Sequence, residues 1–337
     1  FHGFGLEQLR KSLEKINGKE IEDINDFGEV DAEYSGFYID AKESYLSLAV
    51  RDFVDSYFNA DYKRIKDPMA SFLFEFVKAC KNLAVNEEAS DFESQMTPIL
   101  SHPFFEDFSR LIEEYEKLLK APFMDFLKIA VSKMLKVSRN GKKTFVKKVN
   151  GKEQVLSGIA FSYDDMIYLT AVSNKIEVET FDYVIIDELQ DMNTSQILMS
   201  LRAAAKKGSK IIAAGDENQA IYAFRFADSM IMKKLEIVTE AKVMKLPISY
   251  RLPNSIRDMA RDCVKDIETP EWAIQGEIHY VGEEEACELF MPGDMVLSRS
   301  NNELSRIAMK ALSFKKPIIL KGAKGLRYNV QSIILEI

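Results

Sequence analysis

The stretch Phe181–Asp191, FDYVIIDELQD, decides the fold class. Val184, Ile185 and Ile186 are consecutive bulky β-branched residues, the composition of a strand buried on both faces of a parallel sheet. Asp187 and Glu188 follow at once, so the strand delivers two carboxylates to the carboxyl edge of the sheet, where open α/β sheets bind ligands. A buried strand gains nothing structurally from such a pair. A bound cation or a reacting water accounts for it. Strand-then-acid is nevertheless common, and the flanking sequence has to carry the rest.

On both sides of this stretch, strands alternate with helices. FSYDDMIYLTAVS reads as a helix entered by a turn, and SQILMSLRAAAKK as a helix ended by Gly208. KIIAAGD is a second buried strand that also finishes on an acid, Asp216, and ENQAIYAFRFADSM leads into another helix. Such alternation predicts βαβ units, hence an α/β fold with a parallel sheet. After about Val238 a new unit begins. VMKLPISYRLPNSIRDMARDCV reads as a short strand, a proline turn and a helix; EIHYVG and DMVLSRSNNELSRIAMKAL read as two strands and a helix.

Farther upstream, Met69 to Lys136 is helical throughout, with Pro103 and Pro122 near helix starts. Its Phe and Leu stripes read as core. The opening FHGFG reads as a glycine-flanked turn before an amphipathic helix through Leu6, Leu9, Leu13 and Ile16. Asn140-Gly141 and Asn150-Gly151 are hairpin turn signals. Eight basic residues and no acid lie between Lys133 and Lys152, including Lys142, Lys143 and Lys147. That ribbon either contacts nucleic-acid phosphates or is a solvated hairpin; both readings stand.

The 337 residues suggest two or three domains, and 47% hydrophobic with 29% charged residues is ordinary for a globular protein. No apolar run reaches the ~18 residues of a membrane span, and no signal peptide opens the chain. Cys80, Cys263 and Cys287 form no disulfide framework, which points to a reducing, intracellular compartment. His2, His102 and His279 are too scattered for a zinc site. With a net charge of −8, any DNA contact has to come from local patches. The chain opens on Phe1 rather than methionine and stops on an apolar run, so segments are expected beyond both ends.

Three stretches stand in order: FDYVIIDELQDMNTSQ, IIAAGDENQAIYAFRFAD and LPISYRLPNSI. Together they resemble the superfamily 1 DNA helicases of the UvrD/Rep type. Motif II of that family reads close to D-E-A-Q-D, motif III close to G-D-x-x-Q-S-I-Y-x-F-R-G-A, and motif IV carries a Y-R after a Leu-containing strand. FHGFG is similar to the family's T-F-H-G segment. The resemblance implies RecA-like motor domains of the P-loop NTPase class, with a mostly helical insertion of the 1B type. Residues 1–17 and 153–239 are then the first motor domain, 18–152 the insertion with its basic hairpin, and 240–337 the start of the second motor domain.

The resemblance also implies roles. Asp187 holds Mg²⁺ against the ATP phosphates, and Glu188 is the base or positioning group for the attacking water. Gln190 and Asp191 tie the site to neighbouring motifs, Gln219 senses the γ-phosphate, and Asp216 is its structural partner. Tyr250 stacks on adenine and Arg251 reaches the γ-phosphate as an arginine finger does. Tyr222, Phe224 and Arg225 stack on single-stranded bases, while Phe1 and His2 touch the DNA.

There are departures from the family pattern. Leu189 stands for Ala, Ala220 for Ser and Phe226 for Gly. No G-x-x-x-x-G-K-S/T phosphate loop occurs, so this chain alone is expected to hydrolyse ATP poorly. Motif VI is not visible. Ala323–Leu326 is similar to the start of motif V, with Arg327 in place of its acid. It fits equally a turn leading into the family's 2B insertion.

The implied activity is ATP-driven movement along single-stranded DNA and unwinding of forked duplex, in replication, repair or recombination. The implied partners are replication, repair or nuclease proteins, and no membrane. The implied location is the cytoplasm, on a nucleoid or at a viral replication site. Two alternatives remain at this stage: a non-catalytic DNA-binding scaffold, and the motor subunit of a helicase–nuclease complex.

Overall fold

The computed structural model describes residues 1–16, 38–58, 62–140, 142–149, 152–220, 230–298 and 300–319. The chain divides into two compact units, Phe1–Met244 and Lys245–Ile337. In the first unit the elements run α1 (His2–Ile16), β1 (Tyr38–Ile39), α2 (Ser44–Tyr57), α3 (Lys63–Asn82), α4 (Phe92–Leu100), α5 (Ser109–Leu119), α6 (Phe123–Arg139), β2 (Lys142–Val149), β3 (Lys152–Phe161), α7 (Tyr163–Val172), β4 (Tyr183–Ile186), α8 (Thr194–Ala203), β5 (Lys210–Ala213) and α9 (Ile231–Thr239).

The main core gathers the helical aromatics. Phe58, Phe72, Phe76, Phe105, Phe123 and Phe126 are almost wholly buried. Most of the rings meet edge-on or tilted, as at Phe72–Phe105 (5.6 Å between ring centres, 69°) and Tyr115–Phe123 (5.2 Å, 77°), while Phe72 and Phe76 stack (5.4 Å, 27°). Pro122 precedes the first turn of α6 and Pro103 opens a 3₁₀ turn, so both prolines sit where a missing N–H costs nothing. The hairpin pairs β2 with β3 antiparallel, from Lys142↔Ile159 to Val149↔Lys152, and β1 joins β3 in parallel.

The FHGFG stretch is helical from His2, not a turn. Its second glycine serves packing: a Cβ on Gly5 would stand 2.8 Å from the carbonyl carbon of Met166 in α7. That helix begins at Ser162, whose hydroxyl accepts the Asp165 N–H while the Asp165 carboxylate accepts the Ser162 N–H. At its far end the Arg202 guanidinium donates to the carbonyls of Thr170, Ser173 and Ile176 (2.6–2.8 Å), binding α8 to the last turn of α7.

β4 and β5 pair in parallel, with Tyr183↔Lys210 through Ile186↔Ala213 in register. A smaller core of Ile186, Leu189, Met192, Ile197, Ile231 and Leu235 packs under them. The sequence predicts burial on both faces; among the described residues these strands are covered on one face only. Ile186 is buried, but Ile185 is 75% and Ile212 54% exposed. The physical reason is alternation: successive side chains point to opposite faces, and this core lies under one of them.

In the second unit α10 (Asn254–Ala260), α11 (Glu283–Leu289) and α12 (Asn301–Ser313) are joined by extended segments. Ile248 and Glu268 form a parallel bridge. EIHYVG and DMVLS, read as strands, are not strands in the structure; a strand needs a partner, and the described residues offer none there. Among the described residues, no helix is long and apolar enough to cross a membrane.

Candidate functional site

The carboxyl ends of β4 and β5 place two short loops side by side. Ala214 N–H donates to Ile186 O (2.8 Å) and Leu189 N–H donates to Ala214 O (2.9 Å), so the strand pairing continues past the last ladder residues. Between them Asp187 and Glu188 are exposed, and Asp187 Oδ1 accepts the Glu188 N–H at 3.0 Å. Glu188 has a left-handed backbone, φ 52° and ψ 47°, which turns the chain sharply into a 3₁₀ turn over Leu189–Asp191.

A chain of side-chain hydrogen bonds connects the loops. Gln190, almost fully buried, donates from Nε2 to Glu188 Oε2 (2.7 Å) and accepts the Asp216 N–H on Oε1 (2.9 Å). Asp216 Oδ2 accepts from Gln219 Nε2 (2.7 Å), and its Oδ1 accepts the Asn218 N–H (3.0 Å). Burial works to raise the Asp216 pKa, but these donors outweigh it and hold the carboxyl below its ordinary range. Asp187, Glu188, Gln190, Asp216 and Gln219 therefore meet at one sheet edge, with the Glu188 carboxylate and the Gln219 amide oriented by neighbours. Asp191 lies just inside, its Oδ1 buried with no hydrogen bond among the described residues.

Sequence reasoning passed over Gly215. A Cβ there would stand 2.7 Å from Gln190 Oε1 and 3.1 Å from Leu189 N, so only glycine lets the loops close on each other. The signal was available, since the glycine directly precedes Asp216 in the motif. Asn218 was missed too, and it donates twice to Asp216.

The donor set bears on Mg²⁺. Among the described residues no group of three or more His, Cys, Asp or Glu side chains could hold a metal. One exposed carboxylate on a fixed loop does suit Mg²⁺, which keeps several waters and binds through one or two carboxylates together with substrate phosphates. Asp187 fits that requirement.

The proposed DNA contacts fare unevenly. Tyr222, Phe224 and Arg225 lie outside the described residues, as does the side chain of Lys142. Phe1 and His2 are exposed at the start of α1, with the His2 ring 5.1 Å from that of Tyr163. Lys147 is half-buried. Lys143 must be corrected, because it points inward and cannot contact phosphate. Its ammonium sits 2.9 Å from Asp165 Oδ2, over the rings of Tyr45 (4.2 Å) and Phe161 (4.4 Å). Asp165 also pairs with Lys81 (2.9 Å), which pairs with Glu43 (2.9 Å) and donates to Tyr45 OH (2.7 Å). Burial pushes the Lys143 pKa down to about 8. It opposes charge on Asp165 as well, but Lys143 and Lys81 outweigh it and hold that carboxyl well below its ordinary value.

In the second unit the Tyr250 ring is exposed and tilted 32° to that of Trp272, 6.3 Å away. Arg251 is exposed. Trp272, the protein's single tryptophan, was not anticipated as a neighbour of Tyr250.

Comparison with known proteins places the chain in a family. The ATP-dependent DNA helicase PcrA of Staphylococcus epidermidis is 32% identical over 114 residues, covering 32% of this chain and 16% of that protein. The ATP-dependent DNA helicase Rep of Buchnera aphidicola is 27% identical over 190 residues, covering 52% of this chain and 27% of that protein. The chain thus spans about a sixth and about a quarter of these relatives' lengths. The family model described as UvrD/REP helicase N-terminal domain matches residues 1–238. The chain belongs to the UvrD/Rep family of DNA helicases, whose N-terminal domain is a RecA-like α/β motor.

Proposed function

We propose that the protein hydrolyses ATP to move along single-stranded DNA and to separate forked duplex. Residues 1–17 and 153–239 form the first motor domain in this reading. Residues 18–152 are its 1B-type insertion, and 240–337 begin the second motor domain. The observation that carries the reading is the hydrogen-bonded run Glu188–Gln190–Asp216–Gln219, which joins the loops after two parallel strands.

The hydrogen bonds of Glu188, Gln190, Asp216 and Gln219 support their tasks, and the other roles rest on the family resemblance. Gln190 holds the Glu188 carboxylate in place, so the general base is oriented before substrate arrives. Asp216 occupies one N–H of the Gln219 amide, which leaves its other N–H and its oxygen for a phosphate and the attacking water. Asp187 is the ligand for Mg²⁺, and the ion supplies neutralisation of the phosphate charge. Tyr250 stacks on the base of the nucleotide, and Arg251 contacts the γ-phosphate. Tyr222, Phe224 and Arg225 stack on successive bases, with Phe1, His2, Lys142 and Lys147 on the DNA backbone. The setting is replication, repair or recombination in the cytoplasm, on the nucleoid or at a viral replication site, with partner proteins of those processes.

Unwinding of a fluorescently labelled fork by the full-length protein tests this. ATP- and Mg²⁺-dependent strand release is expected. Strand release that persists without ATP, or none when ATP is present, contradicts it.

A further inference from the structure

The left-handed backbone of Glu188 is unfavourable for a residue with a side chain and persists only where both flanks are fixed. The upstream flank is held by β5, through Ala214 N–H to Ile186 O (2.8 Å), and the downstream flank starts with Leu189 N–H to Ala214 O and the Asp216 N–H to Gln190. That downstream flank ends at Asn193, the cap of α8. Its Oδ1 accepts the Gln196 N–H (3.0 Å), and its own N–H donates to Gln196 Oε1 (2.9 Å). Only Nδ2 remains, and it donates to Asn82 Oδ1 at 2.8 Å. Asn82 in turn gives its Nδ2 to Lys78 O (3.1 Å), so both amides have their orientation set by a second bond. Beside this pair the Ser195 hydroxyl donates to the Lys81 carbonyl. The end of α3 is itself immobilised, because the Lys81 ammonium is sunk among Glu43, Asp165 and Tyr45.

We propose that Asn82 is a positioning residue for the acidic loop. From the last turn of α3 it clamps Asn193, and so holds the downstream flank of Glu188 and Gln190 in register with Asp216. Asn82 touches no reacting group and lies outside every recognised motif. Its oxygen accepts from Asn193, and both Asp and Ala lose the bond to Lys78 O, so the difference between them isolates that acceptor: Asp keeps it and Ala does not. The backbone bonds of the α3 terminus stay in either case, including Leu83 N–H to Ala79 O and Val85 N–H to Cys80 O (both 2.9 Å). The catalytic part of this inference rests on the ATPase reading above.

The test compares full-length wild type, Asn82→Ala and Asn82→Asp. It measures steady-state ATP hydrolysis on single-stranded DNA and amide hydrogen exchange across residues 189–196. For Asn82→Ala we expect kcat to fall about five- to tenfold with KM for ATP within about twofold, the scale of one lost hydrogen bond. Exchange across 189–196 accelerates, and Asn82→Asp restores both readouts to within about twofold of wild type. The inference is overturned if Asn82→Ala matches wild type. It is also overturned if Asn82→Asp falls as far, or if exchange accelerates equally throughout α3. A wild type without DNA-stimulated hydrolysis sinks the ATPase reading instead. The exchange pattern then decides the clamp alone, with local acceleration and Asp rescue supporting it and their absence overturning it.

Discussion

At the scale of single residues, fixed neighbours govern what each polar group can do. Gly215→Ala would drive a Cβ to 2.7 Å from Gln190 Oε1, displacing the amide that bridges Glu188 and Asp216. We expect kcat for ATP hydrolysis to fall about tenfold or more while the melting temperature drops only modestly, read by steady-state kinetics beside thermal melts. Asp165→Asn removes the partner of both Lys81 and Lys143 and leaves two buried ammonium groups with too little counter-charge. A loss of about 3–5 kcal/mol in denaturant unfolding follows. The sign with pH is also fixed. The folded Asp165 carboxyl titrates below its ordinary value, so its stabilisation is complete above about pH 4 and is lost as pH falls further. Melts of wild type should show that acid-side loss, and Asp165→Asn should lack this component of it. The placing of Asp187 and Glu188 directly after one strand, and of Asp216 after the next, was legible because each follows a short apolar run. Lys143 was misread as part of a basic ribbon. Its place in KKTFVKKV, two residues before the buried Phe145 on a strand of period two, is the signal that puts it on the inner face.

At the scale of elements, packing decided what local patterns left open. Two glycines in FHGFG read as a turn, yet both lie within α1, and they differ in purpose. A Cβ on Gly3 meets nothing within 4 Å, whereas one on Gly5 collides with the Met166 backbone of α7. Gly5→Ala should therefore cost about 1–3 kcal/mol, and Gly3→Ala should be neutral or slightly stabilising, as paired thermal melts would show. The helical stretch from Met69 to Lys136 and the strand at Tyr183–Ile186 were legible from periodicity and composition. Burial of that strand on both faces was not, because a β-branched run records the propensity of the strand and not which of its faces finds a partner. Ile185 and Ile212 show this directly, both exposed on the face opposite the small core.

At the scale of the whole molecule, the chain is a member of a DNA helicase family, and its acidic loop is held in shape by its own side chains. The helical and ion-paired part of the first unit supports that loop from behind through α3. Contacts of this kind come from tertiary packing over more than a hundred residues of sequence, Asn82 to Asn193, and no motif announces them. The proposed role of Glu188, oriented by Gln190, is to activate the water that cleaves ATP. It is tested most directly by single-stranded-DNA-stimulated ATP hydrolysis in full-length wild type and Glu188→Gln. A kcat lowered by roughly 10²–10⁴-fold is expected in Glu188→Gln, with nucleotide binding retained. Hydrolysis by Glu188→Gln at the wild-type rate would contradict it.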